Sequence, residues 1–464
     1  MQKRTLIADL AVMLLMTPGL LRGSDEDTAA RVIQQLHGEI ERDEKRPGKP
    51  IVAVTLTLRE LKEADLKHIG LLKQLRKLDL SGTDLTDAGL KQVSAARQLR
   101  ELDINRTCVT DEGLKALVPL KQLQTLSIGG LNVTDEGLKE LARLKQLGIL
   151  ELDFTKLTDA GLKELAVLER LQKLNLRFTQ VTDAGLRELV PLTRLRSLDL
   201  SFTQVTDQGL KKLTPLKKLQ TLELADTHVT DSGLKELAPL KQLHTLDLSF
   251  THVTDAGLKE LSALNKLQTL YLIETRITDA GLKDLAPLKQ LQSLILACTE
   301  VTGAGLKELA VLKQLQRLDL ANTELTHGGL KEVAALKQLR NLDLLNTRVA
   351  DAGLKELAPL KQLRELDLSY TSITDAGLKE TAALEQLEKL HLQGTKLTDA
   401  GLKNLAVHKQ FRYLNLCDTH VTDTGLMELR SLRHLQELHL WGSQVTVAGV
   451  QKLQKALPGC RISR

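Results

Sequence analysis

The sequence repeats itself every 24 residues from Leu75 to Pro458, without an insertion or a deletion. These sixteen units occupy 384 of the 464 residues. Gly89 recurs in every unit as far as Gly449, and the pair Leu78-x-Leu80 recurs in the same phase. A unit this short cannot bury its own apolar side, so neighbouring units must stack around a shared core. The period therefore predicts one continuous coil rather than several independent globular domains.

Composition and charge narrow the classes of function. Aromatic residues make up only 2% of the chain, as in low-diversity repeats. Charged residues are 27% and hydrophobic ones 42%, which excludes a disordered tail and a protein with many membrane spans. The formal net charge is +5, from 64 basic and 59 acidic residues, an excess too small to predict binding to nucleic acid.

Each unit predicts a strand, a turn and a short helix. In Leu78-Asp79-Leu80 the alternation points the leucines inward and Asp79 outward, which is typical of a strand in a parallel sheet. Thr83 follows, and fourteen units share this Thr. We expect each hydroxyl to satisfy backbone groups in the turn and to fix the register of the stack.

The second half of each unit carries helix signals. Thr86 and Asp87 are a helix cap and a first-turn carboxylate. Leu90 and Val93 follow at helical spacing and are predicted to face the core. Six prolines share a later phase and should stop the helix. They are Pro119, Pro191, Pro215, Pro239, Pro287 and Pro359.

The unit reads L-x-x-L-x-L-x-x-T-x-V-T-D-A-G-L, as in residues 171–186, and resembles the leucine-rich repeat family. The resemblance implies an α/β solenoid, or horseshoe, with a parallel sheet on its concave face and short helices on its convex face. Thr stands where the family has Asn or Cys. The T-D-x-G-L half resembles the cysteine-containing repeats found beside F-boxes and in many bacterial proteins, which implies the substrate-recognition arm of a ubiquitin ligase as an alternative function.

The N-terminal residues resemble a targeting segment. Lys3 and Arg4 precede a mostly apolar run, so residues 1–23 are predicted to be a signal peptide that directs export to the periplasm or the cell exterior. Asp9 interrupts the run and no A-x-A site follows it, which leaves an unstructured N-terminus on a cytoplasmic protein as the alternative. The run is too short and broken for an integral membrane span.

The remaining segment boundaries are set by where the 24-residue period begins and ends. Residues 25–74 are predicted to form an N-terminal cap, with a helix over Asp25 to Asp43, a strand over Ile51 to Leu58 and a partial unit. Residues 75–458 are the sixteen repeats, and residues 459–464 form a closing segment.

Outward strand positions vary and so carry the information about a partner. One such column is acidic in nine units, and we interpret it as a solvated sheet face neutralised by flanking arginines such as Arg340 and Arg364. An acidic stripe for a basic partner is the alternative. The nine residues are Asp79, Asp103, Glu151, Asp199, Glu223, Asp247, Asp319, Asp343 and Asp367.

Nearly all the aromatic residues lie outside the core positions, and we predict partner-binding residues among them. The residues of one group directly precede the recurring Thr. They either stack to stabilise neighbouring repeats or form an exposed patch for a partner. A second group lies at outward strand positions, where Ile273 and Ile295 join Tyr271 in a predicted contact surface. The first group is Phe154, Phe178, Phe202, Phe250 and Tyr370, and the second is Tyr271, Tyr413 and Trp441.

Catalysis is not indicated. His391, Asn415, Cys417 and His439 lie on neighbouring predicted strands, but no base, orienting carboxylate and oxyanion donor converge at readable spacing. The four cysteines lack zinc, redox or disulfide spacing. We therefore predict no cofactor, no metal and no enzyme activity.

The sequence predicts a monomeric, non-catalytic scaffold that binds a protein on its concave face. The alternatives are the ligase arm and an exported surface protein that binds glycans through its aromatic residues. Only about fifty residues precede the repeats, and they show no convincing F-box helices.

Overall fold

The computed structural model describes residues 25–58 and 61–464. The predicted signal peptide, residues 1–23, lies outside the described residues. The chain divides into two compact units, residues 1–156 and 157–464. The division falls inside the repeat array, where the sequence predicts one continuous coil. Within the described residues, no helix is long and apolar enough to cross a membrane.

Six strands form the sheet of the first unit. β1 and β2 are antiparallel, and the pairs from β2 to β6 are parallel, with each residue opposite the residue 24 positions later. The strands are β1 (Glu39–Arg42), β2 (Ile51–Thr55), β3 (Lys77–Asp79), β4 (Glu101–Asp103), β5 (Thr125–Ser127) and β6 (Ile149–Glu151).

The cap differs from its prediction at one end. The helix predicted over Asp25 to Asp43 ends at Gln35, because His37 takes a left-handed backbone with φ of 53° and the chain turns there. Glu39–Arg42 is then a strand rather than helix. The helices of this unit are α1 (Asp25–Gln35), α2 (Glu63–Gly70), α3 (Asp87–Val93), α4 (Asp111–Leu114) and α5 (Asp135–Leu141), with a 3-10 turn over Lys115–Leu117.

Thirteen strands form the sheet of the second unit, and every pair is parallel with the same offset of 24 residues. The α/β class with a parallel sheet is thereby confirmed. The strands are β7 (Lys173–Asn175), β8 (Ser197–Asp199), β9 (Thr221–Glu223), β10 (Thr245–Asp247), β11 (Thr269–Tyr271), β12 (Ser293–Ile295), β13 (Arg317–Asp319), β14 (Asn341–Asp343), β15 (Glu365–Asp367), β16 (Lys389–His391), β17 (Tyr413–Asn415), β18 (Glu437–His439) and β19 (Arg461–Ser463).

The helices of the second unit are one to three turns long. In the repeats with Pro191, Pro239, Pro287 and Pro359, a 3-10 helix ends two residues before the proline. The α-helices are α6 (Asp159–Leu165), α7 (Asp183–Leu186), α8 (Asp207–Leu213), α9 (Asp231–Leu234), α10 (Asp255–Leu258), α11 (His327–Val333), α12 (Asp351–Leu354), α13 (Asp375–Leu378), α14 (Asp399–Leu405), α15 (Asp423–Leu426) and α16 (Val447–Ala456). The 3-10 helices are Arg187–Leu189, Lys235–Leu237, Lys259–Ala263, Leu282–Leu285, Leu306–Val311, Lys355–Leu357, Lys379–Ala383 and Met427–Ser431.

The recurring Thr acts inside its own repeat. Thr251 Oγ1 donates to the carbonyl oxygen of Leu248 at 2.6 Å, and Thr83 makes the same bond to Leu80 at 2.6 Å. Each hydroxyl therefore satisfies a turn carbonyl, as the sequence predicts. It does not reach the next repeat, so the expectation that these hydroxyls fix the register of the stack is wrong.

The bond between repeats comes instead from the recurring Asp. Asp231 Oδ1 accepts the backbone N–H of Thr254 at 2.8 Å, and its Oδ2 accepts the Thr254 hydroxyl at 2.6 Å. The same Thr254 hydroxyl accepts from the Ala256 N–H at 3.3 Å, so it also caps its own helix. We call this two-bond contact the Asp–Thr bridge. It recurs between successive repeats from Asp159–Thr182 to Asp255–Thr278 and from Asp351–Thr374 to Asp423–Thr446.

The recurring Gly leaves room for this bridge. A Cβ on Gly257 would collide with Asp231 Oδ1 and lie 2.9 Å from Leu234 Cδ1. The backbone of Gly257 is ordinary helix, so close approach rather than an unusual dihedral explains the residue.

We therefore predict that Gly257→Val destabilises its repeat, because the new side chain displaces the carboxylate that holds Thr254. The expected loss in free energy of unfolding is about 2–4 kcal/mol, from overpacking and a broken bridge. Urea denaturation measures it, and hydrogen exchange of the amides in residues 229–258 localises it. Gly459→Val is the matched control, since nothing lies within 4 Å of a Cβ there. Equal stability of the two variants would contradict this role.

One polar pair interrupts the leucine core of the second unit. Thr381 and His408 are 1% and 2% exposed and stand at positions that hold Leu in most repeats. Thr381 Oγ1 donates to the Leu378 carbonyl at 2.7 Å, so the His408 Nε2–H, 3.1 Å away, donates to Thr381 Oγ1. Burial lowers the pKa of His408 to about 4, and the imidazole is neutral at pH 7.

This pair predicts acid sensitivity. Because the pKa of His408 lies below its unfolded value of 6.5, its contribution is complete above pH 6.5 and declines as the pH falls towards 4. The full loss is about 3 kcal/mol. The double variant Thr381→Leu, His408→Leu restores the usual core residues and should remove this part of the pH dependence, as measured by urea denaturation at pH 7 and pH 4. An unchanged difference between the two pH values would assign the sensitivity elsewhere.

Candidate binding face

The parallel sheet of the second unit exposes one side to solvent, since its leucines point into the core. Leu246 and Leu248 are 0% exposed, whereas Thr245, Asp247 and Ser249 alternate with them and lie on the other side. We call this surface the sheet face. Its rows are set by the offset of 24 residues between adjacent strands, so equivalent residues of successive repeats lie side by side.

The sheet face is bordered by a column in left-handed backbone conformation. Every 24th residue from Phe178 to Gly442 has φ between 51° and 71°. Gly and Asn suit this conformation, and bulky side chains disfavour it by roughly 1–2 kcal/mol. Phe178, Phe202, Phe250 and Tyr370 nevertheless occupy it. The sequence places these aromatics in one phase, but only the backbone reveals that the position is strained.

Burial does not offset the backbone strain of these aromatic residues, because their side chains stay partly exposed. Phe250 is 43% exposed, Tyr370 50% and Phe178 37%. Phe178 and Phe202 stack with ring centroids 4.1 Å apart. The Arg177 guanidinium lies over both rings, at 5.0 Å and 4.3 Å from their centroids. Phe178 and Phe202 thus form a stacked pair, whereas Phe250 and Tyr370 are largely exposed, and whether this group is structural or binds a partner stays a prediction.

The remaining predicted contact residues lie on the sheet face or its border, with one exception. Tyr271, Ile273 and Tyr413 are partly exposed, and Trp441 is 67% exposed. Ile295 is only 4% exposed, because it lies between Tyr271 and Asp319 of the adjacent strands. The prediction that Ile295 offers a contact surface is therefore wrong. In the first unit, Phe154 has φ of 56° and is 51% exposed.

The acidic column forms two groups on this face. Asp199, Glu223 and Asp247 lie in register on β8, β9 and β10. Burial, and then the negative charges of Asp199 and Asp247, raise the pKa of Glu223 to about 7. Burial also raises the pKa of Asp247, against hydrogen bonds from Ser249. We call these three residues the first acidic group.

The second acidic group, Asp319, Asp343 and Asp367, has basic neighbours on the same face. Burial, and then the charges of Asp319 and Asp367, raise the pKa of Asp343 to about 6, while the Leu345 N–H and His391 act in the opposite direction. His391 Nδ1 lies 3.8 Å from Asp367 Oδ2. Burial raises the pKa of Asp319, and the Ala321 N–H and Arg317 act in the opposite direction.

The predicted neutralisation by flanking arginines takes a different form. Arg364 pairs with Glu388, Nη1 to Oε1 at 3.4 Å, and among the described ion pairs none joins Arg340 or Arg364 to the acidic column. The charges that oppose the acids are therefore strand residues of the sheet face, such as Arg317, rather than the residues that precede each strand.

The histidines near the C-terminus stack on a tyrosine ring. The Tyr413 ring lies between His391 and His439, with centroids 4.7 Å and 5.1 Å away. His391 Nε2 is 3.6 Å from Glu365, and bonding to His391 lowers the pKa of Glu365 to about 2. Burial raises the pKa of the Cys417 thiol, which disfavours a thiolate nucleophile. No cluster of three metal-ligating side chains occurs among the residues that the structure describes.

Comparison with known families accounts for this architecture. A family model described as a leucine-rich repeat region matches residues 67–249, and a second leucine-rich repeat model matches residues 242–262, 361–380 and 386–406. The chain is a leucine-rich repeat protein. Neither model distinguishes the F-box-associated subclass, which stays a prediction.

Solved structures show the same fold. A leucine-rich repeat protein of Leptospira interrogans is 26% identical, with a TM-score of 0.56, and the match covers 78% of this chain and 95% of that one. An internalin of Listeria monocytogenes is 22% identical, with a TM-score of 0.50 and coverage of 78% and 94%. No curated protein matches the sequence. Leucine-rich repeat proteins of this kind commonly bind proteins and are generally not enzymes.

The left-handed column yields a stability test. Phe250→Asn should raise the free energy of unfolding by about 1 kcal/mol, because Asn tolerates the backbone that strains Phe. Phe202→Asn relieves the same strain but loses ring stacking and a cation–π contact, together about 1–2 kcal/mol, and should not stabilise. Urea denaturation of both variants measures the difference. A loss of stability in Phe250→Asn would show that its ring holds the repeats together.

Proposed function

We propose that this protein is a non-catalytic scaffold that binds a protein partner on the sheet face of its second unit. The observation that carries the proposal is the set of exposed aromatic residues at strained backbone positions, above all Phe250 and Tyr370. Bulky side chains at such positions weaken a scaffold, and Gly394 and Gly442 occupy the same column without that cost. Strain kept at an exposed site supports a role in recognition.

The chemistry of the face favours a protein as the partner. Aromatic side chains concentrate in the central contacts of protein interfaces. The strands hold these residues in fixed rows, so little conformational entropy remains to be lost on binding. The half-buried carboxylates disfavour nucleic acid, whose phosphates carry the same charge. We propose that the protein acts as a monomer and without a cofactor.

Two alternatives stay with the proposal. In the glycan-binding alternative the aromatic rings are platforms for sugars, but the Phe178 and Phe202 rings are stacked on each other and covered by Arg177, which favours a protein. The ligase arm and the exported protein would lie in different compartments, and we propose export. We also propose that residues 1–23 are the signal peptide, 25–74 the cap, 75–458 the repeats and 459–464 the closing segment.

Site-specific photo-crosslinking tests which face binds. A photoreactive phenylalanine analogue replaces Phe250 or Tyr370 on the sheet-face border, in protein produced in its own cells. We expect both positions to crosslink to the same partner.

Val311 and Val407 are the matched control positions. They are 43% and 56% exposed, close to the values for Phe250 and Tyr370, but they lie at the helix ends of their repeats. Crosslinks from the two valine positions alone would place the partner on the helices and overturn the proposal.

A further inference from the structure

The first acidic group places three carboxylates side by side on the sheet face. Asp199, Glu223 and Asp247 occupy adjacent parallel strands, which lie about 4.8 Å apart. Burial, the charge of Asp199, a hydrogen bond with Asp199 and the charge of Asp247 raise the pKa of Glu223 to about 7. A positive charge placed among them would favour the ionised forms and relieve the repulsion.

A buried polar group without a partner lies beside this acidic group. Ser201 is 0% exposed, and its N–H donates to Asp199 Oδ1 at 2.8 Å. Its Oγ has no hydrogen-bond partner. Ser249, the corresponding residue beside Asp247, differs, because its Oγ accepts from the Ile273 N–H at 3.3 Å. An unpaired buried hydroxyl costs free energy, which a bound polar group would recover.

The side chains beside the first acidic group are small. Two residues before each acid, on the same side of its strand, stand Ser197, Thr221 and Thr245. Two residues after Glu223 and Asp247 stand Ala225 and Ser249. The second acidic group is instead flanked by the larger Arg317, Asn341 and Glu365 at the first of these positions.

The two acidic groups also differ in their basic neighbours. Lys173 opposes the raised pKa of Glu223, and Arg177 opposes that of Asp247, but neither forms part of the three strands β8, β9 and β10. In the second group Arg317 stands on the same strand as Asp319, and His391 lies within 4 Å of Asp367. Among the described ion pairs, His391–Asp367 belongs to the second group, and none includes Asp199, Glu223 or Asp247.

The border of the first group already holds a cation. The Arg177 guanidinium packs over Phe178 and Phe202, which shows that these rings accept a cationic side chain at 4.3–5.0 Å. Phe250 follows Asp247 by three residues, stands in the same left-handed column as Phe178 and Phe202, and is 43% exposed. Carboxylates with aromatic rings at their edge suit lysine and arginine, whose charged ends and aliphatic stems both find contacts.

We infer that the partner binds through an extended segment rich in lysine and arginine, which lies across β8, β9 and β10 with its cationic groups at Asp199, Glu223 and Asp247 and an aliphatic stem against Phe250. This inference rests on the proposed function and names the chemistry of the partner. An extended chain fits because its side chains alternate, so one side faces the carboxylates while the other faces solvent.

Fluorescence anisotropy tests the inference with a labelled oligolysine peptide of about ten residues, which is long enough when extended to cross these strands. We expect salt-sensitive binding to the full chain. The variant Asp199→Asn, Glu223→Gln, Asp247→Asn should weaken it about tenfold or more, since each change removes charge but keeps the shape. Oligoglutamate of the same length should not bind.

The matched control is Asp319→Asn, Asp343→Asn, Asp367→Asn, which removes the same number of charges from the second group. It should retain oligolysine binding within about twofold of the wild-type chain. Equal loss in the two triple variants, or equal binding of oligoglutamate, would overturn the inference. Thermal melting confirms folding, and we expect the first triple variant to melt no lower than wild type, because repulsion is removed.

Crosslinking separates this inference from the proposed function. If the first triple variant still crosslinks its natural partner from Phe250 with wild-type yield, the sheet face binds but the cationic segment is wrong. If neither Phe250 nor Tyr370 crosslinks in the wild-type chain, the proposed function itself fails. If the crosslink from Phe250 forms in the wild-type chain but is lost in the first triple variant, the result supports both the inference and the proposed function.

Discussion

The Asp–Thr bridge is the side-chain contact that recurs between successive repeats. A carboxylate in one repeat accepts both the backbone N–H and the hydroxyl of a Thr in the next, as Asp231 does from Thr254. The bridge can form only because Gly257 has no side chain in its path. Three columns of the sequence therefore serve a single interaction. Between Asp279 and Asp351 the column holds Gly303 and His327, and the bridge is interrupted there.

The left-handed column connects this scaffold to recognition. The turn after each strand needs positive φ whatever residue occupies it, so the fold sets the backbone and leaves the side chain free. Gly394 and Asn322 meet the requirement without strain, whereas Phe250 and Tyr370 do not. A position whose backbone is fixed can display a large side chain rigidly, which lowers the entropy lost on binding. The same rigidity explains why strain there supports function rather than packing.

Charge on the sheet face follows from the same regular geometry. Parallel strands in constant register place equivalent carboxylates side by side, so like charges repel wherever neighbouring repeats share an acid. Partial burial strengthens the repulsion, and the pKa of Glu223 rises to about 7 as a result. In the second acidic group Arg317 and His391 reduce this effect. Near the first acidic group Lys173 and Arg177 act in the same direction, yet the pKa of Glu223 stays raised, so a further positive charge from outside would stabilise the ionised carboxylates there.

The sequence by itself determined the repeat unit, the parallel sheet, the leucine core and the phase of the aromatics. Each of these follows from the residue pattern within one unit and its recurrence every 24 residues. It did not reveal the Asp–Thr bridge, whose partners are 23 residues apart and meet only when repeats stack. Nor did it separate Tyr271 from the buried Ile295, since exposure depends on neighbours in adjacent strands. Backbone strain at Phe250 and the pKa of Glu223 likewise arise from contacts between repeats, and only the tertiary structure decided them.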